Sequence, residues 1–300
     1  MMLGLREVFT YFQCSQCQCL QIETIPANLA RFYPTEYNGF EAPRSHIFQG
    51  IKGAFRKNRY QAALFPDGLI SGLMNSLFPA GQYQHLGKLG LTRSTRIIDI
   101  GCGRGSYLYP LYELGMKNVQ GADPFIPATI TYPNGYRVQK SFVYEVGGEW
   151  DIILYNHSFE HVPDPLENLQ AVYRLLAPNG TCLIRIPTVS SYAWEHYRTD
   201  WFQLDAPRHL FLHSVQSMKL LAEQASLTLT AVEYDSDHAQ FIHSEKYRNN
   251  IAMYEDASAL YGSTLKRKLT KLNYAKQART LNQTNQGDQA IFYLKKVQGV

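Results

Sequence analysis

One short segment, Asp99–Gly105 with the sequence DIGCGRG, constrains the fold of this chain more than any other. The apolar run Arg96–Ile100 predicts a buried strand that leads into the glycines. Ser106–Leu114 predicts a helix after them, closed by Gly115. Glycines at such a turn let the backbone bend tightly and approach a ligand without a Cβ clash. The segment therefore predicts a ligand-binding strand–turn–helix unit, with the ligand over the positive end of the helix.

From about Thr95 onward the sequence alternates between strand and helix patterns. Besides the first strand, the predicted strands are Val119–Asp123, a weaker one near Tyr136–Val146, Asp151–Tyr155, Thr181–Ile186, Leu227–Tyr234 and Ala290–Val297. Asp164 and Ser214 open predicted helices, and Pro178-Asn179-Gly180 predicts the turn that ends the first of them. This alternation predicts an α/β fold with a doubly wound, Rossmann-like sheet of seven mostly parallel strands. In such sheets, ligands bind beyond the carboxyl ends of the strands.

Composition supports a globular chain and excludes several classes of protein. Of the 300 residues, 45% are apolar and 18% are charged, which is ordinary for a folded domain. The 29 basic and 25 acidic residues leave a net charge of +4, which alone is too small to indicate nucleic-acid binding. Pro66, Asp67 and Pro79 interrupt the most apolar stretch, Tyr60–Gly81, so no membrane span is predicted. The first residues lack the apolar core of a signal peptide, and the expected location is cytoplasmic.

The chain divides into three predicted parts. Residues 1–45 form a small irregular extension rich in cysteine, proline and aromatic residues. Residues 46–90 form a helical cover, whose apolar spacing predicts two short helices. Residues 91–300 form the main domain, with a basic helical insertion at about 240–286. The aromatic segments Phe32-Tyr33-Pro34 and Tyr37-Asn38-Gly39-Phe40 are expected either over a site as a lid or in the packing of the extension.

Two further motifs follow predicted strands. Asp123 stands eighteen residues after Gly105, where a carboxylate accepts both hydroxyl hydrogens of a ribose, and Asn156–Pro165 reads NHSFEHVPDP. The glycine spacing differs from the G-x-G-x-x-G of dinucleotide enzymes, and no Lys-Ser/Thr pair of a P-loop is present. The three motifs in this order resemble class I S-adenosylmethionine-dependent methyltransferases, which implies the Rossmann-like methyltransferase fold. The stretch Trp201–Leu210 resembles a segment of methyltransferases found with sugar and polysaccharide biosynthesis.

That resemblance implies S-adenosylmethionine as the cofactor and a set of residues that hold it. They are Asp99, Gly101, Cys102, Gly103, Gly105, Tyr107, Asp123, Pro124, Asn156 and His157. In the family, the acid at Asp99 orients the glycine loop and the amino acid part of the cofactor. Many members also carry an acid after the third strand that holds the adenine amine, but this chain has Lys140-Ser141-Phe142 there. We expect backbone groups and Phe142 to hold the adenine instead.

Two histidines and one acid are the candidate catalytic groups. Methyl transfer from a sulfonium is an in-line displacement, and an oxygen or nitrogen acceptor must also lose a proton. Because histidine titrates in the useful range, His161 is the first candidate base and His209 the second, with Glu160 a candidate for substrate contact. The alternatives are structural hydrogen bonds from the rings and an ion pair between Glu160 and Arg208. Together with His157, these three residues also have the donor types of a metal site.

The N-terminal cysteines suggest half of a zinc site. Cys14 and Cys17 have C-x-x-C spacing, and with Tyr11–Gln13 before them they resemble the second half of a zinc ribbon that precedes sugar-pathway methyltransferases. A structural zinc ion needs four ligands, and no second C-x-x-C is present in the chain. Zinc at Cys14 and Cys17 would therefore be an incomplete site, and free or buried thiols are the alternative.

The expected substrate follows from the same resemblance. We expect O-methylation of a small molecule, a sugar or saccharide intermediate, with carbon and nitrogen acceptors and the oligomeric state left open. Leu265–Arg279 holds six basic residues and no acid, which suits a solvated helix face, a phosphate-bearing substrate or RNA. An RNA or other nucleic-acid methyltransferase is the first alternative, although no aromatic RNA-binding motif accompanies these charges. A non-catalytic binding protein that kept the fold is the second.

Overall fold

The computed structural model describes residues 7–33 and 41–297. Within these residues the strands are β1 (Tyr11–Gln13), β2 (Leu20–Ile22), β3 (Ile97–Ile100), β4 (Val119–Ala122), β5 (Ile130–Thr131), β6 (Arg137–Gln139), β7 (Trp150–Asn156), β8 (Leu176–Pro187), β9 (Phe211–Leu212), β10 (Leu227–Tyr234) and β11 (Gln289–Lys296). The helices are α1 (Gly50–Leu64), α2 (Leu69–Leu77), α3 (Gly81–Gly87), α4 (Tyr109–Glu113), α5 (Pro165–Leu175), α6 (Tyr192–Tyr197), α7 (Val215–Gln224), α8 (Ala239–Arg248), α9 (Ser258–Tyr261) and α10 (Thr264–Gln283). Among the described helices, none is both long and apolar enough to cross a bilayer.

The main sheet confirms the predicted α/β fold. Its strand order is β10-β11-β8-β7-β3-β4-β6-β5, and its centre is mostly parallel. β4 pairs in parallel with β3 and β6, whereas β11 runs antiparallel to both β8 and β10. The sheet has eight strands rather than the predicted seven, because the two-residue β5 pairs antiparallel with β6 at one edge.

The chain forms two compact units. One comprises Met1–Thr35 with Ile153–Val300, and the other comprises Glu36–Ile152. The first strands of the chain thus belong with its C-terminal half, because β2 pairs with both β1 and β9 in a separate three-stranded sheet. These limits differ from the three parts expected from the sequence, which remain a prediction.

In the unit Glu36–Ile152, the register of β3 and β4 places the predicted cofactor motifs together. Ile97 lies opposite Val119 and Ile100 opposite Ala122, so Gly101 and Asp123 leave the two strands side by side. All four residues of β3 are buried, as its apolar run requires. The strands therefore end where the sequence predicts a ligand.

The helix after the glycine loop starts later than predicted. Residues 106–108 form turns, and α4 begins at Tyr109 and has five residues. Gly101, Gly103 and Gly105 all have positive φ, so the chain is still turning when it leaves the loop. Pro110 falls in the first turn of α4, which is where proline is best tolerated in a helix. The predicted helix start at Ser106 is therefore wrong, whereas the position of a ligand over the positive end of this helix stays a prediction.

In the unit with Ile153–Val300, the predicted helix start at Ser214 is confirmed, but the predicted turn at residues 178–180 is not. Ser214 caps α7 as predicted, since its Oγ accepts the Ser217 N–H at 2.9 Å. The predicted turn at Pro178-Asn179-Gly180 is wrong, because α5 ends at Leu175 and those residues lie inside β8. β8 pairs with β11 only through residues 182–187, so the absent N–H of Pro178 costs no bond to β11.

Candidate functional site: a glycine loop and a glutamate–histidine cluster

The glycine loop after β3 is held by the acid that follows β4. Gly103 donates its backbone N–H to Asp123 Oδ2 at 2.8 Å, and Phe125 donates to Asp123 Oδ1 at 2.8 Å. Gly101 donates to the Ala122 carbonyl at 2.8 Å. Burial raises the pKa of Asp123, while the backbone N–H groups of Phe125 and Gly103 oppose the rise. The carboxylate sets the path of the loop, and a ribose contact at its remaining lone pairs stays a prediction.

Asp99, the acid that begins the loop motif, is almost fully enclosed. Its exposed fraction is 2%, and its Oδ1 has no hydrogen-bond partner among the described residues. Burial, reinforced by the nearby charge of Asp123, raises the pKa of Asp99 well above its usual range. A buried carboxyl oxygen without a donor is costly, so this atom fits a residue that receives a donor from a ligand or from water.

Residues after β6 offer the candidate adenine contacts. Ser141 is buried, and its Oγ has no partner among the residues that the structure describes. Phe142 is 44% exposed and stacks on Tyr144 with ring centres 5.2 Å apart. Phe125 is 76% exposed, and its ring centre lies 6.5 Å from that of Phe142. The sequence analysis did not propose Phe125, although it follows Asp123 by two residues. Glu145 is engaged locally, because its carboxylate accepts the Phe142 N–H at 2.8 Å.

Three other predicted cofactor residues, Tyr107, Cys102 and Pro124, lie in the same unit as the glycine loop. Tyr107 donates its hydroxyl to the Gln82 carbonyl at 2.7 Å and lies 3.0 Å from His85 Nε2, so it braces α3. Burial is the main cause of a pKa for Cys102 well above the usual thiol range. Pro124 is half-buried beside Asp123. All of these belong to the unit Glu36–Ile152.

Asn156 and His157, in the other unit, are both bound by one arginine. Arg185 Nη1 donates to Asn156 Oδ1 at 3.2 Å and to His157 Nε2 at 2.7 Å. Arg185 Nε also donates to Asp235 at 2.6 Å. His157 has a φ of 54°, a left-handed conformation that non-glycine residues seldom adopt and that clusters at functional sites. Sequence reasoning missed Arg185, which lies inside the plain strand pattern of β8.

The three predicted catalytic residues come together in the unit with Ile153–Val300. Glu160 and His161 lie in the short 3-10 turn Phe159–His161 after β7, and His209 lies in the loop before β9. The donor atoms of all three lie within 4.8 Å of one another. Glu160 Oε1 is 3.9 Å from His209 Nε2.

Hydrogen bonds define which ring nitrogen of each histidine carries the proton. His161 Nδ1 lies 2.8 Å from the Arg208 carbonyl, and His209 Nδ1 lies 2.7 Å from the Gln203 carbonyl. A carbonyl oxygen only accepts, so we assign the hydrogen to Nδ1 in both neutral rings. Each Nε2 therefore has a free lone pair. Tyr33 Oη, 3.2 Å from His161 Nδ1, adds a contact that the sequence did not reveal.

Glu160 is a buried carboxylate with no hydrogen-bond donor in the part of the chain that the structure describes. Its exposed fraction is 0%, and neither carboxyl oxygen has a hydrogen-bond partner among the described residues. Burial acts to raise the pKa of Glu160, but the rings of His157, His161 and His209 outweigh it and lower the pKa to about 2. Burial lowers the pKa of His161 and brings that of His209 to about 4. Near neutral pH the cluster holds one negative charge and two neutral rings.

Arg208 pairs with a different acid from the one considered in the sequence. Its Nη2 donates to Asp205 Oδ1 at 2.6 Å, and both side chains are buried. The alternative of a Glu160–Arg208 ion pair is therefore not the arrangement found. Asp205 Oδ2 also lies 3.7 Å from His209 Nε2. Asp205 has φ 36°, a backbone conformation that aspartate tolerates better than most residues.

A polar cavity of about 210 Å³ lies in the same unit as this cluster. Its lining residues are Arg185, Phe202, Gln203, Asp235, Ser236, Asp237, Ala239, Gln240, Asp288 and Gln289. Two of the lining residues contact predicted site histidines. Arg185 donates to His157 Nε2, and the Gln203 carbonyl accepts a hydrogen bond from His209 Nδ1. Carboxylates and amides predominate in the lining, which suits a ligand rich in hydroxyl groups.

The N-terminal cysteines lie in the turn between β1 and β2. Gln18 donates to the Cys14 carbonyl at 2.8 Å, and Cys14 donates its N–H to the Cys19 carbonyl at 2.9 Å. Backbone N–H groups of Cys17 and Gln16 lower the pKa of the Cys14 thiol. Within residues 7–33 and 41–297, no third histidine, cysteine or carboxylate joins Cys14 and Cys17 in a metal-binding group. Zinc at this turn stays a prediction.

Comparison with known proteins identifies the family. A model of the methyltransferase domain matches residues 69–232, which is more than half of the chain. The chain therefore belongs to the methyltransferase domain family. This agrees with the resemblance carried by Asp99–Gly105 and Asn156–Pro165.

Individual relatives match over shorter stretches. The chain is 32% identical to a ubiquinone biosynthesis O-methyltransferase of Caulobacter sp. (strain K31) over 99 residues, 30% of this chain and 39% of that protein. It is 33% identical to a tRNA U34 carboxymethyltransferase of Aliarcobacter butzleri over 100 residues, 29% of this chain and 32% of that protein. The chain thus spans less than two thirds of the length of these relatives. The structure of a SAM-dependent methyltransferase from Archaeoglobus fulgidus aligns with 75% of this chain and with 99% of its own chain, at 19% sequence identity and a TM-score of 0.42.

Proposed function

We propose that this chain transfers a methyl group from S-adenosylmethionine to an oxygen atom of a small, hydroxyl-rich acceptor, a sugar or saccharide intermediate. One observation supports the cofactor most strongly: Asp123 holds the glycine loop through Gly103, in a chain of the methyltransferase domain family. The relative from Caulobacter is named for O-methylation in ubiquinone biosynthesis, which supports an oxygen acceptor on a small molecule.

The glycine-loop unit has polar groups that fit the cofactor. Asp99 Oδ1 and Ser141 Oγ are buried without partners among the described residues, and a ligand with amine and adenine nitrogens would satisfy both. The exposed faces of Phe125 and Phe142 fit an adenine ring, because aromatic faces stack on planar bases. We assign Asp99 to the amino acid part, Asp123 to the ribose and Ser141 with Phe142 to the adenine.

The glutamate–histidine cluster supplies the proton chemistry. The cofactor, when bound, provides a methyl group on a sulfonium. Transfer of that methyl group to an acceptor oxygen would leave the bonding electron pair on sulfur and would require the acceptor hydroxyl to lose its proton. The free Nε2 lone pairs of His161 and His209 can take that proton, because each Nδ1 hydrogen is already bonded to a carbonyl. The Glu160 carboxylate stabilises the positive charge that results.

The polar cavity supports a saccharide as the acceptor. The carboxylates Asp235, Asp237 and Asp288 accept hydrogen bonds from hydroxyl groups, and neighbouring amides both donate and accept. At about 210 Å³, the cavity is smaller than the roughly 300–1,000 Å³ of sites for drug-sized ligands. Phe202 adds one aromatic face to the lining. This combination suits one sugar ring better than a long prenyl chain.

A methyl-labelled cofactor assay tests this function. The protein is incubated with labelled S-adenosylmethionine and three acceptor classes: free and nucleotide-linked sugars, catechols, and transfer RNA. We expect label in the sugars, and His209→Asn should lower kcat roughly 100-fold or more, as loss of a general base does. The matched control is His196→Asn, an exposed histidine outside the cluster. Label in catechols or RNA with none in any sugar would contradict the acceptor class.

Nucleic acid is the second candidate acceptor. α10 exposes Lys266, Arg267, Lys268 and Lys271 within a stretch, 265–279, that contains no acid, and one relative is named for a tRNA modification. The leucines of this helix are exposed too, since Leu265, Leu269 and Leu272 are each more than half exposed. RNA binding through α10 should weaken steeply with salt, because each neutralised phosphate releases counterions. An affinity for transfer RNA that does not change with salt concentration, or no binding of transfer RNA, would exclude nucleic acid as the acceptor.

A further inference from the structure

Three side chains of the glutamate–histidine cluster, Glu160, His161 and His209, bring metal-ligand atoms close together. The ring hydrogens of the two histidines are bonded elsewhere. One carboxyl oxygen of Glu160 and one ring nitrogen each of His161 and His209 lie within 4.8 Å of one another, and His209 Nε2 is 3.9 Å from Glu160 Oε1. The hydrogen of each ring is on Nδ1, where it bonds the carbonyl of Arg208 or Gln203. Glu160 accepts no hydrogen bond from any described residue. The Glu160 carboxylate thus brings a negative charge to this space, and by the same assignment Nε2 of each ring carries a lone pair.

Such a buried arrangement requires a positive charge to offset it. An ionised carboxylate removed from water costs several kcal/mol unless a cation or donors compensate. Arg208 directs Nη2 to Asp205, and His157 Nδ1 is 3.7 Å from Glu160 Oε1, which is too long for a hydrogen bond. No described residue therefore donates a hydrogen bond to Glu160, and a bound cation would supply the compensating charge.

We propose that Glu160, His161 and His209 bind one divalent first-row transition-metal ion. Two imidazoles and one carboxylate form a recognised ligand set that leaves coordination positions open. Metal-bound histidines usually donate their other ring N–H to a carbonyl or carboxylate, which is the arrangement at His161 and His209. Imidazole ligands favour zinc, iron or nickel over magnesium and calcium, which prefer oxygen.

Binding requires a modest contraction of the cluster. Ligands of a tetrahedral ion with bonds of about 2.0–2.1 Å lie about 3.4 Å apart. Glu160 Oε1 and His209 Nε2 are 3.9 Å apart, so small side-chain rotations suffice for this pair. His161 is only half-buried, which leaves a route for an ion to enter.

The ion would give the cluster a more specific role in removing the proton of the acceptor, and this role rests on the proposed function. The proposal that the cluster binds a metal ion is independent of that function. An acceptor hydroxyl on an open coordination position would have a lowered pKa and would release its proton to solvent water. With the ion bound, His161 and His209 would be its ligands, and this role would replace the direct proton transfer to their Nε2 atoms. Hydroxyl groups of a sugar are suitable ligands of this kind.

Metal titration of the full chain tests this site. The background variant is Cys14→Ser with Cys17→Ser, so that thiols cannot bind the probe, and the protein is first stripped with a chelator. Zn²⁺ is followed by calorimetry and Co²⁺ by its visible absorption. We expect one ion per chain, with affinity falling 100-fold or more in Glu160→Gln and in His209→Asn. His196→Asn, an exposed histidine, should bind as the background does.

The outcomes separate this inference from the proposed function. Absence of one-to-one binding in the background protein overturns the inference, and so does binding that Glu160→Gln and His209→Asn leave unchanged. S-adenosylmethionine titrated into the same samples reports the folding of each variant and the cofactor site independently. Cofactor binding without metal binding refutes the metal site alone, whereas metal binding without cofactor binding refutes the proposed function alone.

Discussion

Asp288 should make the protein less stable as pH rises through the weakly acidic range. Its carboxyl is 2% exposed and accepts the Trp201 Nε1 hydrogen at 3.0 Å. Burial, the largest cause, raises the pKa of Asp288 from 3.8 to about 6. Below pH 4 the folded and unfolded chains both hold the proton, so the group contributes no pH dependence. Between about 4 and 6 only the folded chain holds it, and the free energy of unfolding falls as pH rises.

The magnitude follows from the size of the shift. The difference between 3.8 and about 6 corresponds to about 3 kcal/mol at 1.36 kcal/mol per pKa unit. Asp288→Asn keeps the side-chain shape and an oxygen for Trp201 but carries no charge. Relative to the natural chain, the variant should gain up to about 3 kcal/mol of stability between pH 4 and pH 7.

Urea unfolding at several pH values measures this gain. The matched control is Asp67→Asn, an exposed aspartate between α1 and α2, which should follow the natural chain at every pH. If Asp288→Asn and the natural chain lose stability in parallel from pH 4 to pH 7, the argument from burial is refuted.

Two further predictions concern packing around the candidate sites. Gly105→Ala should lower the midpoint of thermal unfolding, because φ is +81° and a Cβ would lie 2.6 Å from Val138 Cγ2, whereas Gly72→Ala in α2 has open space and should raise it. Equal midpoints for the two variants would contradict this. Arg208→Ala should cost about 3–5 kcal/mol in urea unfolding, since it leaves Asp205 charged and unpaired inside the protein. A cost below about 1 kcal/mol, the range of exposed ion pairs, would mean that the pair is hydrated.

Local patterns in the sequence were enough to predict the cofactor loop. The apolar run of β3, the glycines and Asp123 are close in the chain, and parallel pairing of neighbouring strands brings them together. β10 and β11 were also predicted within one residue at each end, because β10 alternates apolar and polar residues and β11 contains a continuous apolar run. Helix starts were predicted less well, as α4 shows, because the glycines continue to turn the chain past Ser106.

The environment of the glutamate–histidine cluster depends on contacts between distant parts of the chain. Tyr33 reaches His161 across 128 residues, and Tyr11 donates its hydroxyl to the His209 carbonyl across 198 residues. The choice of Asp205 rather than Glu160 as the partner of Arg208 depends on a left-handed residue that no periodicity marks. Sequence patterns therefore indicated His161, His209 and Glu160 as candidates but not the hydrogen bonds that define their chemistry.

Calorimetric titration with S-adenosylmethionine tests the central claim most directly. The natural chain should bind S-adenosylmethionine and S-adenosylhomocysteine with micromolar Kd and should not bind NAD. Asp123→Ala removes the acceptor of the Gly103 N–H, and about 1.5–3 kcal/mol for a charge-assisted hydrogen bond corresponds to roughly 10–100-fold weaker binding. Asp67→Ala should bind as tightly as the natural chain. Failure to bind either S-adenosyl compound, or binding of NAD in their place, would contradict the account.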